Sequence, residues 1–523
     1  MAQNERETSY YHSSAVCPYT ELLDDDDEVL IALAESLKDL VDYIGGAQYI
    51  MSLLSPLESL ASADETTVRD SAIESIKKIL IPLRLKDFES LLKTMLGKMM
   101  ASESYTSKIS CLCICPHIYK NLNAAQQLEI INFFKKCSAD EIIQTKKTAA
   151  LQLKDMINIG KIAEADAISV FNIIKVDVQD SMRMIAFEIA LCMAKYYSIL
   201  KISSHILAFL KATADDKSWR IRFTMADKIV EFSKLFEKEI VLDFFANCYI
   251  AFIADGESEV RTAAISKLAE FCNLLDAPTI IKKLIPAFNA ITLDSFLYVR
   301  KAFAENILQI SPLIGAQSTT ELLLPLILNL FKDTSSDVKI AIIKGLDIIN
   351  KVVGSKVLLQ AIAPPIISLT QEKSWRIRMQ TIENFPMIAK HIGEAPFNEK
   401  FLTSMLDGLD DPTYSIREQS IKNIQEITEI FGLKWFEKNA LPKITSFSTH
   451  ANYLFRATVL IAIRMLSSLL SVDIIEGKIV PILTKLASDK IANIRFNVAK
   501  SIKSISLIAK DKIVEVLKIN RIF

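Results

Sequence analysis

Residues able to do covalent or metal chemistry are sparse in this 523-residue chain. The most suggestive group is a cluster of three cysteines, Cys111, Cys113 and Cys115, which would serve as a metal or redox centre. Alternate positions of a helix do not share one face, and no histidine follows at ligand spacing. We therefore interpret these cysteines as small buried side chains and predict no metal and no cofactor.

Sequence motifs give no support for catalysis. The twelve glycines form no phosphate-binding loop, and no nucleophile elbow, zinc-protease pair or kinase signature is present. The five histidines share no spacing with cysteines or carboxylates: His12, His117, His205, His391 and His450. The chain is predicted not to be an enzyme.

Composition narrows the class of partner and the compartment. The chain has 61 Lys and Arg against 62 Asp and Glu, a net charge of −1. This balance argues against a nucleic-acid partner or an anionic membrane surface. No signal segment and no apolar run of membrane-spanning length is visible, and the modest cysteine content fits a reducing compartment. We predict a location in the cytoplasm, with the nucleus as a second compartment.

The strongest pattern is the string Ser-Trp-Arg-Ile-Arg, which occupies residues 218–222 and again 374–378. The offset, 378 − 222 = 156, is four times 39, which indicates a tandem array. Steps of about 39 residues from Arg222 define thirteen anchor positions, of which twelve are basic: Leu30, Arg69, Lys108, Lys146, Arg183, Arg222, Arg261, Arg300, Lys339, Arg378, Arg417, Arg456 and Arg495. The residue six positions before an anchor is usually acidic.

Each unit has the apolar spacing of two helices. After Met379, apolar residues at spacings of three and four predict a helix that ends at Gly393. The acidic residue falls in the turn before this second helix, where an anion is a favourable cap. The basic anchor is placed to pair with an acidic residue of a neighbouring repeat. Prolines recur fourteen residues before an anchor and predict a bend in the first helix: Pro286, Pro325, Pro364, Pro442 and Pro481.

A two-helix repeat of this length resembles the HEAT class. The predicted fold is an all-α HEAT-repeat solenoid of about thirteen helix pairs, which would form a curved rod on the order of 120 Å long. Its predicted bounds are residues 20–512. Residues 1–19 are predicted to be a flexible leader, and residues 513–523 the truncated start of a further repeat.

Aromatic residues stand three positions before several anchors, in the predicted turns: Tyr105, Trp219, Trp375, Tyr414 and Tyr453. Trp, Tyr and Arg dominate binding hot spots, so a ridge of partner contacts is the favoured interpretation. Ordinary packing inside the repeats is the alternative. Trp435, between two repeats, has the same two interpretations.

Four segments in chain order carry a specific resemblance: DDDDEVLIALAE (24–35), PLESLA (56–61), DKSWRIRFTMADK (216–228) and IANIRFNVAKS (491–501). They resemble the scaffold (A) subunit of protein phosphatase 2A, and together they extend over nearly the whole array. The resemblance implies a non-catalytic scaffold of fifteen HEAT repeats. In that family the turns hold a regulatory B subunit toward the N-terminal half and the phosphatase catalytic subunit toward the C-terminal end.

The resemblance also implies contact residues in this chain. Catalytic-subunit contacts would be Trp375, Arg376, Trp435, Tyr453 and Arg495. Regulatory-subunit contacts would be Asp64, Glu65, Lys146, Lys147, Ser218, Trp219 and Arg220. A surface role for Trp435 further predicts that Trp435→Ala weakens phosphatase binding without unfolding the chain.

Two features depart from the family. The thirteen repeats match its second to fourteenth, so the first and last family repeats are missing, which bears on both partner surfaces. The alternative function is a HEAT-repeat nuclear-transport receptor, which would need acidic patches for basic cargo. The strict 39-residue period and the lack of a long acidic loop disfavour it.

Overall fold

Helices form the regular elements of this protein, and no strand occurs among the residues that the structure describes. The computed structural model describes residues 22–41, 43–44, 49–81, 91–160 and 162–506. The predicted leader and the predicted C-terminal segment lie outside these residues. Two compact units divide the chain, Met1–Glu237 and Lys238–Phe523, and in both the helices follow the predicted repeat.

Thirteen helices carry the thirteen anchors, and each anchor is the fourth residue of its helix. We label them α1 to α13: Asp27–Leu37, Thr66–Leu80, Tyr105–Ile118, Ile143–Asn158, Asp180–Tyr196, Trp219–Ser233, Ser258–Ser266, Leu297–Ile307, Ser336–Lys344, Trp375–Ile382, Tyr414–Phe431, Tyr453–Leu466 and Ala492–Ile505. This constant register confirms the repeat.

The residue just before the anchor faces the core in most repeats. Ile221, Val260, Val299 and Val338, for example, are fully buried. The third position of each helix therefore contributes an apolar side chain to a continuous core. The fourth position is left at the edge of that core, where a charged side chain reaches the neighbouring repeat.

A first helix precedes each of α2 to α13. The segments are Ile50–Leu60, Gly97–Ala101, Ala124–Ser138, Glu164–Ile174, Ile199–Thr213, Ala246–Ile253, Ile285–Thr292, Leu324–Phe331, Ala363–Leu369, Leu402–Asp407, Leu441–Ser446 and Val480–Leu486. Many of them are shorter than the helix expected in a 39-residue repeat, because the first helix is interrupted upstream of these segments.

The interruption is a wide π turn, and it recurs at fixed spacing: Val241–Phe245, Ile280–Leu284, Thr319–Leu323, Leu358–Ile362 and Ile475–Ile479. Pro286 and Pro325 stand two residues after such a turn, as predicted for irregular first helices. Asn247 occupies the same position after Val241–Phe245. The interruption therefore does not depend on the missing N–H of proline, which is the physical reason that the proline pattern suggests.

The cysteine cluster is packed inside α3. Cys111 and Cys115 are fully buried and Cys113 is half-buried. Burial raises the pKa of the Cys113 thiol to about 11 and that of nearby Cys137 to about 12, so both are protonated at neutral pH. This agrees with the packing interpretation, since a thiol in this state is a poor nucleophile and ligand.

Two stretches are apolar and long enough to pass a length-and-composition test for a membrane span, Leu297–Phe331 and Leu346–Leu369. Each contains a glycine with non-helical backbone angles, Gly315 and Gly354 respectively. Each stretch also joins the second helix of one repeat to the first helix of the next. We therefore interpret both as repeat helices.

Candidate interaction surface

The turn between paired helices is held by the acidic residue six positions before the anchor. In the turn before α11, Asp411 Oδ1 accepts a hydrogen bond of 2.8 Å from the backbone N–H of Thr413. Asp216 does the same for Ser218, the residue that precedes α6. The prediction that the carboxylate caps the helix itself is wrong in detail. A short Asp side chain reaches the N–H two residues on, so it fixes the residue before the helix.

The basic anchor joins two repeats at once. Arg378 Nη1 donates to the carbonyl oxygens of Glu372 and Lys373 in its own turn, at 2.7 and 3.0 Å. Its Nε and Nη2 donate to the two carboxylate oxygens of Asp411 in the next repeat, at 2.7 and 3.1 Å. One guanidinium therefore closes its own turn and fixes the neighbouring turn beside it.

The predicted pairing of anchors with acidic residues of the next repeat is confirmed. We call the series the charge ladder: Lys108–Asp140, Lys146–Asp177 and Arg183–Asp216 in the first unit, and Arg261–Asp294, Arg300–Asp333, Lys339–Glu372, Arg378–Asp411 and Arg456–Asp489 in the second. The usual separation of 33 residues is the 39-residue period less the six-residue offset. The ladder holds consecutive turns in a fixed register.

Burial makes the ladder stronger than the surface series expected from the sequence. The side chains of Arg300 and Asp333 are only 14% and 7% exposed. Burial raises the pKa of Asp333, but the hydrogen bonds from Arg300 and from the Ser335 N–H outweigh it and leave that pKa below its usual value. For Asp489 the hydrogen bond from Arg456 is the largest effect, and it lowers the pKa. These carboxylates are therefore charged at neutral pH.

One position in the second unit lacks its acidic partner, because His450 stands where other repeats have Asp or Glu. His450 Nδ1 still accepts the Asn452 N–H at 3.0 Å. Arg417, only 4% exposed, has a buried Nε with no hydrogen-bond partner, and its guanidinium lies 5.6 Å from the centre of the Phe455 ring. Burial lowers the pKa of Arg417, opposed by the charge of Asp411.

The aromatic residues predicted to line the turns are partly exposed in both units. Trp219 is 38% exposed and Trp375 is 46% exposed, with Tyr105, Tyr414 and Tyr453 in the same range. Exposure of this extent leaves a ring face open to a partner. It favours the ridge-contact interpretation for these five residues, whose contacts with partners stay predictions.

In the first unit, Trp219 sits in an ordered group of side chains. The Arg220 guanidinium lies 5.8 Å from its ring centre, and Phe223 meets it edge to face at 6.4 Å. The Ser218 hydroxyl donates to Asp180 of the preceding repeat. Trp219, Arg220 and Phe223 therefore form one patch, to which the sequence pattern had assigned only the first two.

The other regulatory-subunit candidates have different surroundings. Asp64 and Glu65 lie at the surface before α2, where Glu65 accepts the Thr67 N–H. Lys146 is committed to Asp177 at 2.7 Å as part of the charge ladder, so its ammonium already has an internal partner. Lys147 is half-buried beside it.

Among the catalytic-subunit candidates, Trp375, Arg376, Tyr453 and Arg495 lie at the exposed starts of α10, α12 and α13. Arg495 Nη1 donates to the carbonyl of Asp489 in its own turn at 2.8 Å. These four share the edge formed by the turns of the second unit, as the sequence predicts.

Trp435 does not share that edge. Its side chain is 2% exposed, its Nε1 donates to Asn398 Oδ1 at 2.8 Å, and the Phe431 ring packs against it edge to face. It lies on Leu433–Asn439, in the upstream part of a first helix. The expectation of a surface tryptophan is thus corrected, because a buried ring with an internal hydrogen bond and an aromatic neighbour is a core residue.

The sequence pattern missed three exposed apolar residues of one turn, Leu293, Phe296 and Tyr298. They stand seven, four and two positions before Arg300. Attention to aromatic residues three positions before the anchors excluded them. A comparison of every turn position across repeats would have found them, since neighbouring repeats carry mainly charged or small residues there.

Two family models match the chain. The model described as "PPP2R1A-like HEAT repeat" matches residues 238–315, and the one described as "PIK3R4-like, middle domain" matches residues 326–504. Both matches lie in the second unit.

Curated relatives point to one family. The chain is 36% identical over 227 residues to a PP2A regulatory protein of the A type from Schizosaccharomyces pombe, covering 43% of this chain and 38% of that protein. It is 30% identical over 225 residues to its namesake in Saccharomyces cerevisiae, covering 41% and 35%. The Dictyostelium discoideum protein phosphatase 2A scaffold subunit is 34% identical over 138 residues, covering 26% and 24%. The chain thus matches well under half the length of these relatives.

Solved structures confirm the fold class. Kap121p superposes with a TM-score of 0.64 at 15% identity, covering 98% of this chain and 55% of that one. Kap121p bound to RanGTP gives 0.63 at 15% identity, covering 95% and 55%. At such identity the likeness shows an all-α solenoid fold and nothing further.

The names of the curated relatives bear on catalysis and on family. They are regulatory or scaffold subunits, so the chain is not an enzyme, as predicted. The anchors and the charge ladder supply the repeat that such a scaffold requires. On these grounds together, the chain belongs to the HEAT-repeat family of PP2A scaffold proteins.

Proposed function

We propose that this chain is a non-catalytic scaffold that holds a PP2A catalytic subunit on the turns of its C-terminal repeats and a regulatory B subunit on those of its N-terminal repeats. The observation that carries the proposal is the row of partly exposed turn aromatics on a backbone fixed by the charge ladder. A preorganised surface binds with less loss of side-chain and backbone freedom. Tethering two partners on one chain raises their effective concentration for each other.

Trp375, Arg376, Tyr453 and Arg495 would contact the catalytic subunit. Trp219, Arg220, Ser218, Lys147, Asp64 and Glu65 would contact the regulatory subunit, and Lys146 would act by holding the turn. Trp435 would support the catalytic-subunit surface from inside the repeat rather than touch the partner. The proposal places the chain in the cytoplasm and the nucleus, which microscopy of a fluorescently tagged chain would check.

The direct test is a titration of the full chain with purified PP2A catalytic subunit by surface plasmon resonance. Trp375→Ala and Tyr453→Ala should each raise Kd, with roughly thirtyfold expected for a hot-spot aromatic. Tyr298→Ala is the matched control, because it also removes an exposed turn aromatic but lies outside the proposed contact set. Its Kd should stay at the wild-type value.

Circular dichroism at 222 nm, measured on every variant, separates lost contacts from lost structure. Unchanged Kd in both test variants, with helicity intact, would remove these residues from the interface. A wild-type chain that binds neither the catalytic nor a regulatory subunit would overturn the scaffold proposal. Binding of a basic localisation peptide together with a small GTPase would then favour the transport-receptor alternative.

A further inference from the structure

The turn before α8 exposes an unusual amount of apolar surface. Leu293 is 73% exposed, Phe296 51% and Tyr298 71%, all within one turn and the start of its helix. Contiguous exposed apolar side chains rimmed by polar ones mark interaction sites. We call these three residues the α8 patch.

The repeat itself supplies a control for what the fold requires at these positions. Seven residues before the anchor, the flanking repeats have Ala254 and Lys332. Four before it they have Glu257 and Ser335, and two before it Glu259 and Asp337. The same turn therefore folds around small or charged side chains. The apolar residues of the α8 patch are not needed for packing.

The patch is held in place before any partner arrives. The Phe296 N–H donates to Asp294 at 2.8 Å. The Arg261 guanidinium binds both carboxylate oxygens of Asp294, at 2.7 and 3.0 Å, and lies 5.7 Å from the Phe296 ring centre. A rigid aromatic residue loses little freedom on binding, which favours Phe296 as an anchor for a ligand.

Carboxylates frame the patch. Tyr298 is the second residue of α8, and the second residues of α7 and α9 are Glu259 and Asp337, both exposed. Because α8 packs against both of these helices, the Tyr298 ring stands between the two acidic positions. Neither acid forms an ion pair within the described residues. A groove of about 410 Å³ leads from Asp337 along α8 and α9, past Lys301 and Glu305.

We propose that the α8 patch is a docking surface for an extended peptide segment of a partner protein, in which an apolar side chain is flanked by Lys or Arg. The apolar side chain would pack on Phe296 and Leu293. A flanking cation would lie over the Tyr298 ring, where cation–π attraction acts, within reach of Glu259 and Asp337. Charge complementarity selects a basic segment over an acidic one.

This surface lies apart from the residues assigned to phosphatase and regulatory subunits. It would add a third kind of partner to the scaffold, a protein recruited through a short basic and apolar motif. The inference does not depend on the proposed function, since it uses only the α8 patch and its surroundings.

The test uses a fluorescein-labelled peptide, Gly-Ser-Lys-Phe-Lys-Leu-Lys-Ser-Gly, titrated with the full chain by fluorescence anisotropy. A variant with Leu293→Ala, Phe296→Ser and Tyr298→Ser places small residues at positions where other repeats already have small or charged ones. It should keep its helicity and weaken binding at least roughly tenfold. Glu259→Gln with Asp337→Asn should weaken binding less and reduce its dependence on salt. Trp375→Ala is the control and should bind as the wild type does.

Four results would overturn the proposal. The first is a wild-type chain that does not bind the lysine peptide. The second is equal affinity for a peptide with Glu in place of each Lys. The third is unchanged affinity in the triple variant, or an equal loss in Trp375→Ala. The fourth is a wild-type dimer in sedimentation velocity that the triple variant dissociates, which would assign the α8 patch to a second copy of the chain.

Discussion

At the scale of single residues, arginine and lysine anchors are not equivalent. Arg300 binds both oxygens of Asp333 with Nε and Nη2 while Nη1 donates to Asp294 O in its own turn. Lys339 has one ammonium group, which binds Glu372 in the next repeat. The planar guanidinium presents several donors in fixed geometry, whereas an ammonium acts as a point charge. Arginine anchors therefore fix both turns, and lysine anchors fix mainly the pairing.

The missing acidic partner at His450 gives a residue-scale prediction. His450→Asp should keep the bond to the Asn452 N–H and give Arg417 Nε the acceptor it lacks. An unsatisfied buried donor costs about 1–3 kcal/mol, so the free energy of unfolding should rise by up to about that amount. Urea unfolding of the full chain, followed by circular dichroism, measures the change.

His450→Asn is the matched control for this substitution. It retains an oxygen that accepts the Asn452 N–H but carries no charge for Arg417, so it should give little gain. No stabilisation from His450→Asp would mean that the Phe455 ring, 4.5 Å from the His450 ring, keeps the guanidinium away from the new carboxylate.

Trp435 carries a second residue-scale prediction. Trp435→Ala should lower the free energy of unfolding by about 3–5 kcal/mol, because it leaves a cavity beside Phe431 and an unpaired Asn398. Loss of phosphatase binding by this variant alone would therefore not identify a contact. Wild-type stability in thermal unfolding would restore the surface interpretation.

At the scale of elements, four glycines repeat the same backbone geometry at 39-residue intervals. Gly315, Gly354, Gly393 and Gly432 have φ values of 79, 78, 80 and 92°, and for Gly393 the ψ angle is 174°. This region is essentially restricted to glycine. The C-cap predicted at Gly393 is confirmed, and the chain reverses there from one repeat into the next.

Gly393→Ala should cost about 1–3 kcal/mol from backbone strain alone, since a Cβ at this position meets no atom within 4 Å. The matched control is Gly477→Ala, inside Ile475–Ile479, where the added Cβ also meets open space and the backbone is compatible with any residue. The control should be neutral or stabilising by less than about 1 kcal/mol. Equal thermal midpoints for the two variants would contradict the strain argument.

At the scale of the whole molecule, the charge ladder links stability to pH. Asp140, Asp333, Asp411 and Asp489 all have a pKa below the usual value in the folded chain. A depressed folded-state pKa adds stability above the unfolded value of about 3.9 and loses it as pH falls through the folded value. The thermal midpoint should therefore be level near neutral pH and fall progressively below about pH 5.

Asp333→Asn isolates one member of the ladder. At pH 7 it should lower the free energy of unfolding by about 3 kcal/mol, because it leaves Arg300 without its charged partner. At pH 3 the difference from wild type should shrink, since the wild-type carboxyl is then closer to its protonated form. A difference independent of pH would show that packing, and not charge, accounts for the effect.

Much of the repeat was predictable from the sequence because its signals are local or periodic. The anchor spacing, the apolar residue before each anchor and the acidic residue in each turn predicted α1 to α13 in register, as well as the ladder partners. Exposed Trp219 and Trp375 followed from their turn positions. Trp435 was misjudged because its burial depends on Asn398 and Phe431 of adjoining helices, and no pattern within its own segment reports that environment.

The sequence by itself determined the helical repeat, the chemistry of the turns and the family, since these depend on residue type at fixed spacing. Tertiary structure alone decided which side chains are exposed, that the ladder is largely buried, and that Arg417 has an orphaned donor. It also decided that the first helices are interrupted whether or not proline is present. The physical reason is that burial and hydrogen-bond satisfaction arise where neighbouring repeats pack, and a single repeat carries only half of each such contact.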